Sequence, residues 1–170
     1  SIINYNDGDA TSNAVTVSGL LQANGNVVIE NKEGNVEVLN ATGASIVGEN
    51  ISLDANGNVK NNNSINAVLN AELIATGDVY NYGNINANSV NVIADNNAVM
   101  ANGNITATTV NMSAITNDVL MQNGDIFANG VTITANKNVT MSNGSVNADT
   151  LQMTATSGNI QHSNGTIKVT

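Results

Sequence analysis

The stretch "ANGNITATTVNMSAIT", residues 101–116, alternates apolar and polar residues as a β-strand does, but the alternation breaks every few positions. Asn-Gly between alternating hydrophobic residues is the strongest local signal for a β-hairpin. The runs between the breaks, residues 105–107 and 110–112, are about three residues long, whereas hairpin strands usually have about four to eight. We therefore interpret Asn102-Gly103 as a corner between short strands and not as the tip of a hairpin.

The same pattern recurs about every 20 residues, which is the signature of a repeat architecture. Each cycle has a first apolar position, a second one six or seven residues later, a third apolar pair and a closing alanine. The first positions are Val15, Val36, Val59, Val79, Val99, Val119, Val139 and Ile160. The second positions are Ile65, Ile85, Ile105, Ile126, Val146 and Ile167, and the closing alanines are Ala55, Ala75, Ala94, Ala114, Ala135 and Ala155.

Three short strands per cycle, separated by corners, predict a coil with three faces. Successive coils stack at the strand spacing of about 4.8 Å, so that each strand pairs in parallel with its equivalents. The predicted fold is all-β, a parallel β-helix (β-solenoid) with about seven to eight coils over residues 15–170. Residues 1–14 fit no register and are predicted to form an irregular partial coil or cap.

Two columns of side chains follow from this register. An inward column lies two residues after the first position: Val38, Asn61, Asn81, Ala101, Met121, Met141 and His162. Because a buried amide needs a partner, Asn61 and Asn81 are predicted to form a stacked amide ladder. The column before the first position holds Asn35, Asn58, Asp78, Asp118, Asn138 and Asn159, which we expect to bond turn backbone and not a metal ion.

Composition excludes several function classes. The chain has no cysteine, so disulfides and thiolate metal sites are excluded, and its net charge of −9 argues against nucleic-acid binding. The apolar runs are too short for membrane insertion. Carboxylates are dispersed, His162 is the lone histidine, and Asp7 and Asp9 are at most a weak calcium site. We therefore assign no catalytic, cofactor-binding or metal residue and expect no enzyme.

Three strings resemble the repeats of filamentous-haemagglutinin-type exoproteins and, more loosely, autotransporter passengers: "GDVYNYGNINANSVNVIAD", "ANGNITATTVNMSA" and "KNVTMSNGSVNADTLQMTA". The resemblance implies a right-handed parallel β-helix in an adhesin exported by two-partner secretion across a Gram-negative-type outer membrane. The expected function is a rod or stalk that presents binding regions away from the cell. The implied partners are neighbouring coils or identical subunits stacked end to end, and surface glycans or proteins.

Two other functions stay open at this point. One is an extracellular filament subunit that polymerises end to end. The other is a carbohydrate-binding or carbohydrate-cleaving β-helix, for which we expect an exposed aromatic stripe. Only Tyr80 and Tyr82 lie close together in the sequence, and the sequence interpretation leaves open whether they share a face.

Overall fold

A computed structural model describes residues 2–4 and 14–170 of the chain. Within these residues all strand pairings are parallel. The strands are β1 (Ile2–Asn4), β2 (Ala14–Val17), β3 (Leu20–Gln22), β4 (Val27–Asn31), β5 (Asn35–Val38), β6 (Ser45–Ala55), β7 (Val59–Asn61), β8 (Ser64–Ala75), β9 (Val79–Asn81), β10 (Asn84–Asn86), β11 (Ser89–Ala94), β12 (Ala98–Ala101), β13 (Asn104–Thr106), β14 (Thr109–Ala114), β15 (Val119–Gln122), β16 (Asp125–Ala135), β17 (Val139–Ser142), β18 (Ser145–Ala155), β19 (Ile160–Ser163) and β20 (Thr166–Val169).

The strands form three faces of a solenoid. Face A is an eight-stranded sheet in the order β19-β17-β15-β12-β9-β7-β5-β2. Faces B and C share the long strands β6, β8, β16 and β18, which continue around the corner between them, so the two faces form one twelve-stranded sheet. Face B includes β3, β10, β13 and β20, and face C includes β1, β4, β11 and β14. The predicted fold class is confirmed: a parallel β-solenoid of about 8 turns.

The core is built from side-chain columns that run along the solenoid. On face B the second apolar positions stack in register, and five of them, Ile65, Ile85, Ile105, Ile126 and Val146, are fully buried. On face C the closing alanines pair with one another from Ala55 to Ala155. Alternation along each short strand sends the other side chains outward. Burial of these columns supplies the hydrophobic stabilisation that individual three-residue strands lack.

One first position differs from the sequence prediction. Ala98, and not Val99, pairs with Val79 on one side and Val119 on the other. The segment from Ile85 to Ala94 is one residue shorter than its equivalent from Ile65 to Ala75 in the preceding coil, so a constant 20-residue period places the next first position one residue too late. Val99 therefore points outward.

The same shift changes the inward column. Met100, and not Ala101, pairs with Asn81 below and Met121 above. Met100 and Met121 are fully buried, and Met141 continues the stack in the following coil. Three methionines thus follow the two asparagines in this column.

Asn102-Gly103 is a corner between β12 and β13, as predicted. Among the described residues other than glycine, positive φ occurs at Asn102, Asn123, Asn143 and Asn164, with angles from 53° to 63°. Asparagine therefore takes the left-handed conformation at these corners, which its short polar side chain tolerates. The glycines that follow serve close packing instead: an ideal Cβ on Gly124 would lie 2.6 Å from the carbonyl oxygen of Gly103 in the coil below.

The predicted irregular segment 1–14 lies largely outside the described residues. Ile2–Asn4 form β1, which pairs with β4 on face C. Asp7 and Asp9 are not among the described residues. The solenoid is continuous from β2 to β20.

Candidate functional site

An Asx ladder runs along the corner before face A. In each step the side-chain Oδ1 of one residue accepts a hydrogen bond from the backbone N–H of its equivalent in the next coil, at 2.7–3.2 Å. Its members are Asn35, Asn58, Asp78, Asn97, Asp118, Asn138 and Asn159. The predicted bonds to turn backbone are confirmed. Asn97 was missed because the register of that coil was one residue late.

The internal amide ladder is also confirmed. Asn61 and Asn81 are 0% and 2% exposed, and the Asn61 amide donates to Asn81 Oδ1 at 2.8 Å. The backbone N–H of Asn63 donates to Asn61 Oδ1 at 3.2 Å. Within the described part of the chain, Asn81 Nδ2 is the buried side-chain polar atom with no partner. In the next coil Met100 occupies the position of a third asparagine. Its thioether is only a weak hydrogen-bond acceptor.

A third buried asparagine was missed by the sequence reasoning. Asn31 ends β4 in register with Ala55, in the column of closing alanines, and it is 1% exposed. Its amide donates to the carbonyl of Asn35 at 2.9 Å, and its Oδ1 accepts from the backbone N–H of Glu33 at 3.3 Å. Asn31 therefore bridges the corner that leads from β4 to β5.

Titratable side chains are dispersed along the described coils. Residues 14–170 contain no group of three or more His, Cys, Asp or Glu arranged to hold a metal ion. His162 lies in register with Met141, as predicted, but its side chain is exposed, unlike the buried methionines of the inward column. Lys32 pairs with Glu30, and Lys60 Nζ lies 3.3 Å from Glu37 Oε1. Such exposed ion pairs contribute little to stability.

Two open depressions mark the surface of the first coils. One, of about 310 Å³, is lined by Glu30, Lys32, Asp54, Asn56 and Thr76 among others. The second, of about 240 Å³, follows the outer amide ladder Asn26, Asn50 and Asn70, whose side chains bond to one another at 2.7–2.8 Å. Asn56 and Thr76 in the first depression and the three asparagines of the second bond to neighbouring coils.

The aromatic residues make the most distinctive surface feature. Tyr80 and Tyr82 point outward from the same side of face A, with ring centroids 6.1 Å apart and ring planes 7° apart. The two rings therefore share a face, which the sequence interpretation left open. The sequence contained a signal for this, because side chains two residues apart in extended backbone point to the same side, and Tyr82 follows β9 directly.

Polar side chains of the preceding coils lie beside these two tyrosines. Glu37 Oε1 accepts a hydrogen bond from the Asn62 amide at 2.8 Å and pairs with Lys60. The Lys60 ammonium lies 5.8 Å from the centroid of the Tyr82 ring, within the range of a cation–π interaction. We call Lys60, Asn62, Asp78, Tyr80 and Tyr82 the tyrosine patch.

Asp78 links the tyrosine patch to the Asx ladder. The Tyr80 hydroxyl donates to Asp78 Oδ2 at 3.0 Å, while Asp78 Oδ1 accepts from the backbone and side-chain N–H groups of Asn97, each at 2.9 Å. Partial burial, and then the hydrogen bond and negative charge of Asp78, raise the pKa of Tyr80 above its usual 10.0. The Tyr80 hydroxyl is therefore neutral and held in one orientation at physiological pH.

Comparison of the chain with protein-family models, with curated proteins and with solved structures gives no match. The part of the chain that the structure describes includes no helix with the length and hydropathy that crossing a bilayer requires.

Proposed function

We propose that the chain is a structural rod or stalk segment of a secreted or surface-displayed bacterial adhesin, of the filamentous-haemagglutinin type. The observation that supports it most is the uninterrupted parallel stacking of about 8 turns on three faces. A stack of this kind gives a stiff element that lengthens by about 4.8 Å per coil, or about 38 Å for eight coils. Such an element holds a binding region at a distance from a cell.

The side-chain chemistry agrees with a structural role. Most corner asparagines and aspartates bond to the adjoining coil, so they hold the stack together and leave few polar groups free for chemistry. In the described residues no cluster of metal-ligating side chains accompanies them. The proposed role is non-enzymatic, and the proposed place is the extracellular space or the outer surface of a Gram-negative-type cell.

The proposed partners are neighbouring coils of the same solenoid, identical subunits stacked end to end, and glycans or proteins at a host or bacterial surface. Light scattering over a concentration series separates a stalk segment from a polymerising filament subunit. A stalk segment keeps a small mass at every concentration, whereas a filament subunit forms uniform fibres whose mass rises with concentration.

Surface labelling tests the proposal directly. Antibodies raised against residues 14–170 are applied to intact and to permeabilised cells that produce the protein, with a cytoplasmic protein as the control. The proposal predicts labelling of intact cells or of the culture medium, and loss of the cell-bound label after external protease treatment. Labelling of permeabilised cells alone would contradict it.

A further inference from the structure

We propose that the tyrosine patch on face A is a shallow binding site for neutral oligosaccharides. This inference deepens the proposed adhesin function, on which it rests, because it gives the rod a ligand class and a contact point. It is carried by the two tyrosine rings and by the polar side chains fixed around them.

The few aromatic rings of the chain are concentrated on its surface and not in its core. The whole chain has three tyrosines, one phenylalanine and no tryptophan, and two of these four rings lie nearly parallel on the outside of face A, at β9 and at the residue that follows it. Tyr82 is 38% exposed, and its ring carries a negative face. The C–H groups on one face of a sugar ring carry partial positive charge and pack against such a surface without a deep cavity.

The polar groups beside the rings are oriented before a ligand arrives. Glu37 holds the Lys60 ammonium and the Asn62 amide through the same oxygen. Asp78 accepts the hydrogen bond that the Tyr80 hydroxyl donates, so the hydroxyl oxygen keeps its acceptor capacity toward solvent. A ligand with many hydroxyl groups finds both donors and acceptors here, and their pre-organisation lowers the entropic cost of binding.

Charge and size favour a neutral sugar over other occupants. An anionic polymer is repelled by a chain of net charge −9, with Glu37 and Asp78 beside the rings. A cationic ligand competes with Lys60, which already lies near the Tyr82 ring. A stable protein partner needs about 800 Å² on each side, more than two tyrosines and their polar neighbours offer.

Titration by two-dimensional amide NMR tests the proposal, because it detects millimolar binding to a shallow site. The probes are linear oligosaccharides of glucose, galactose or mannose, with sulfated oligosaccharides as the anionic comparison. The expected result is saturable shifts of amides in β7 and β9 with at least one neutral probe, and none with the sulfated set.

The variant Tyr82→Ala removes the more exposed ring and is expected to weaken binding by about tenfold or more. The matched control is Phe127→Ala, because Phe127 is 44% exposed on face B, away from the patch, and its loss is expected to leave binding unchanged. Tyr82→Leu serves if the alanine variant unfolds, since it keeps apolar bulk but removes the ring. Urea midpoints establish that each variant is folded.

The absence of saturable shifts with every neutral probe would overturn the proposal, as would equal binding by wild type and a folded Tyr82 variant. Stronger binding of the sulfated set would also overturn it. Each of these results leaves the surface-labelling outcome untouched, so failure of the ligand proposal is distinguishable from failure of the adhesin proposal.

Discussion

Replacing Gly124 by alanine tests why glycine follows asparagine at the corners. An ideal Cβ at this position would lie 2.6 Å from the carbonyl oxygen of Gly103 and 2.7 Å from Met100 Cε. The carbonyl belongs to the coil below and is held by the pairing of β13 with β16, so it moves only if the stack opens. Overpacking of this kind typically costs about 1–3 kcal/mol.

Gly130→Ala is the matched control, because Gly130 also follows an asparagine and lies in β16 of the same coil. Its ideal Cβ would meet Thr150 Oγ1 at 3.4 Å, which is an ordinary contact. Both substitutions remove similar freedom from the unfolded chain, a gain of about 0.4–1 kcal/mol, so the difference between them isolates the native state.

Urea unfolding followed by circular dichroism measures this difference. We expect Gly124→Ala to be less stable than Gly130→Ala by about 1–3 kcal/mol, which corresponds to a midpoint lower by about 1 M for a typical urea dependence. Gly130→Ala itself should match or exceed the wild type. Equal midpoints for the two variants would refute the explanation of the corner glycines by close approach of the coil below.

Three further predictions concern the core column, the amide ladder and the tyrosine. Met121→Asp should lower the free energy of unfolding by several kcal/mol, because it places an unpaired charge at a position with 0% exposure. Thr140→Asp on the outside of face A should lower it little, and similar urea midpoints for the two variants would contradict the register. Asn61→Val and Asn81→Val each leave a buried amide without its partner, so a double-mutant cycle of unfolding free energies should show a coupling of about 0.5–3 kcal/mol, and strict additivity would contradict the ladder. Because the folded state raises the pKa of Tyr80 above 10.0, Tyr80 stabilises the fold fully below that pH and loses its contribution as pH rises through its native pKa. The difference between ultraviolet titrations of wild type and Tyr80→Phe should give a pKa above 10.0, and a lower value would contradict the Asp78 contact.

Most of the fold could be predicted from the sequence, because each column of side chains is largely restricted to one or two residue types. The isoleucines of face B and the alanines of face C repeat so regularly that their pairing follows from spacing. The corner Asn and Asp residues repeat for a physical reason, since each side chain satisfies the backbone N–H of the next corner.

The errors of the sequence reasoning arose where two residues suit one position. Ala98 and Val99 are both apolar, and the choice depends on the segment from Ile85 to Ala94, which is one residue shorter than its equivalent from Ile65 to Ala75. Asn31 occupies a position that is alanine in the later coils, and a repeat pattern does not predict a residue that departs from it.

The tyrosine patch could be predicted only in part. Strand alternation places Tyr80 and Tyr82 on one face once the register is known. The contacts of Lys60 and Glu37 depend on which residues of the preceding coils lie beside them, and the 23-residue step from Asn35 to Asn58 shows that these coils differ in length. Side-chain pairing across coils of unequal length requires coordinates.

A distance between two spin labels on face A tests the solenoid most directly. The chain has no cysteine, so Thr16→Cys and Gln161→Cys provide two defined labelling positions on exposed side chains. They lie seven strand steps apart in one outward column. At about 4.8 Å per step the backbone separation is about 34 Å.

Deleting residues 98–118 removes one coil and places Val119 directly after Asn97, in the register of Ala98 above Val79. Pulsed electron paramagnetic resonance should then give a single narrow distance that shortens by about 4.8 Å, to a backbone separation of about 29 Å. Deleting residues 98–108 puts a face C strand in a face A position and should unfold the chain. An unchanged distance after loss of the whole coil, or a broad distribution in the full chain, would contradict the stacked solenoid.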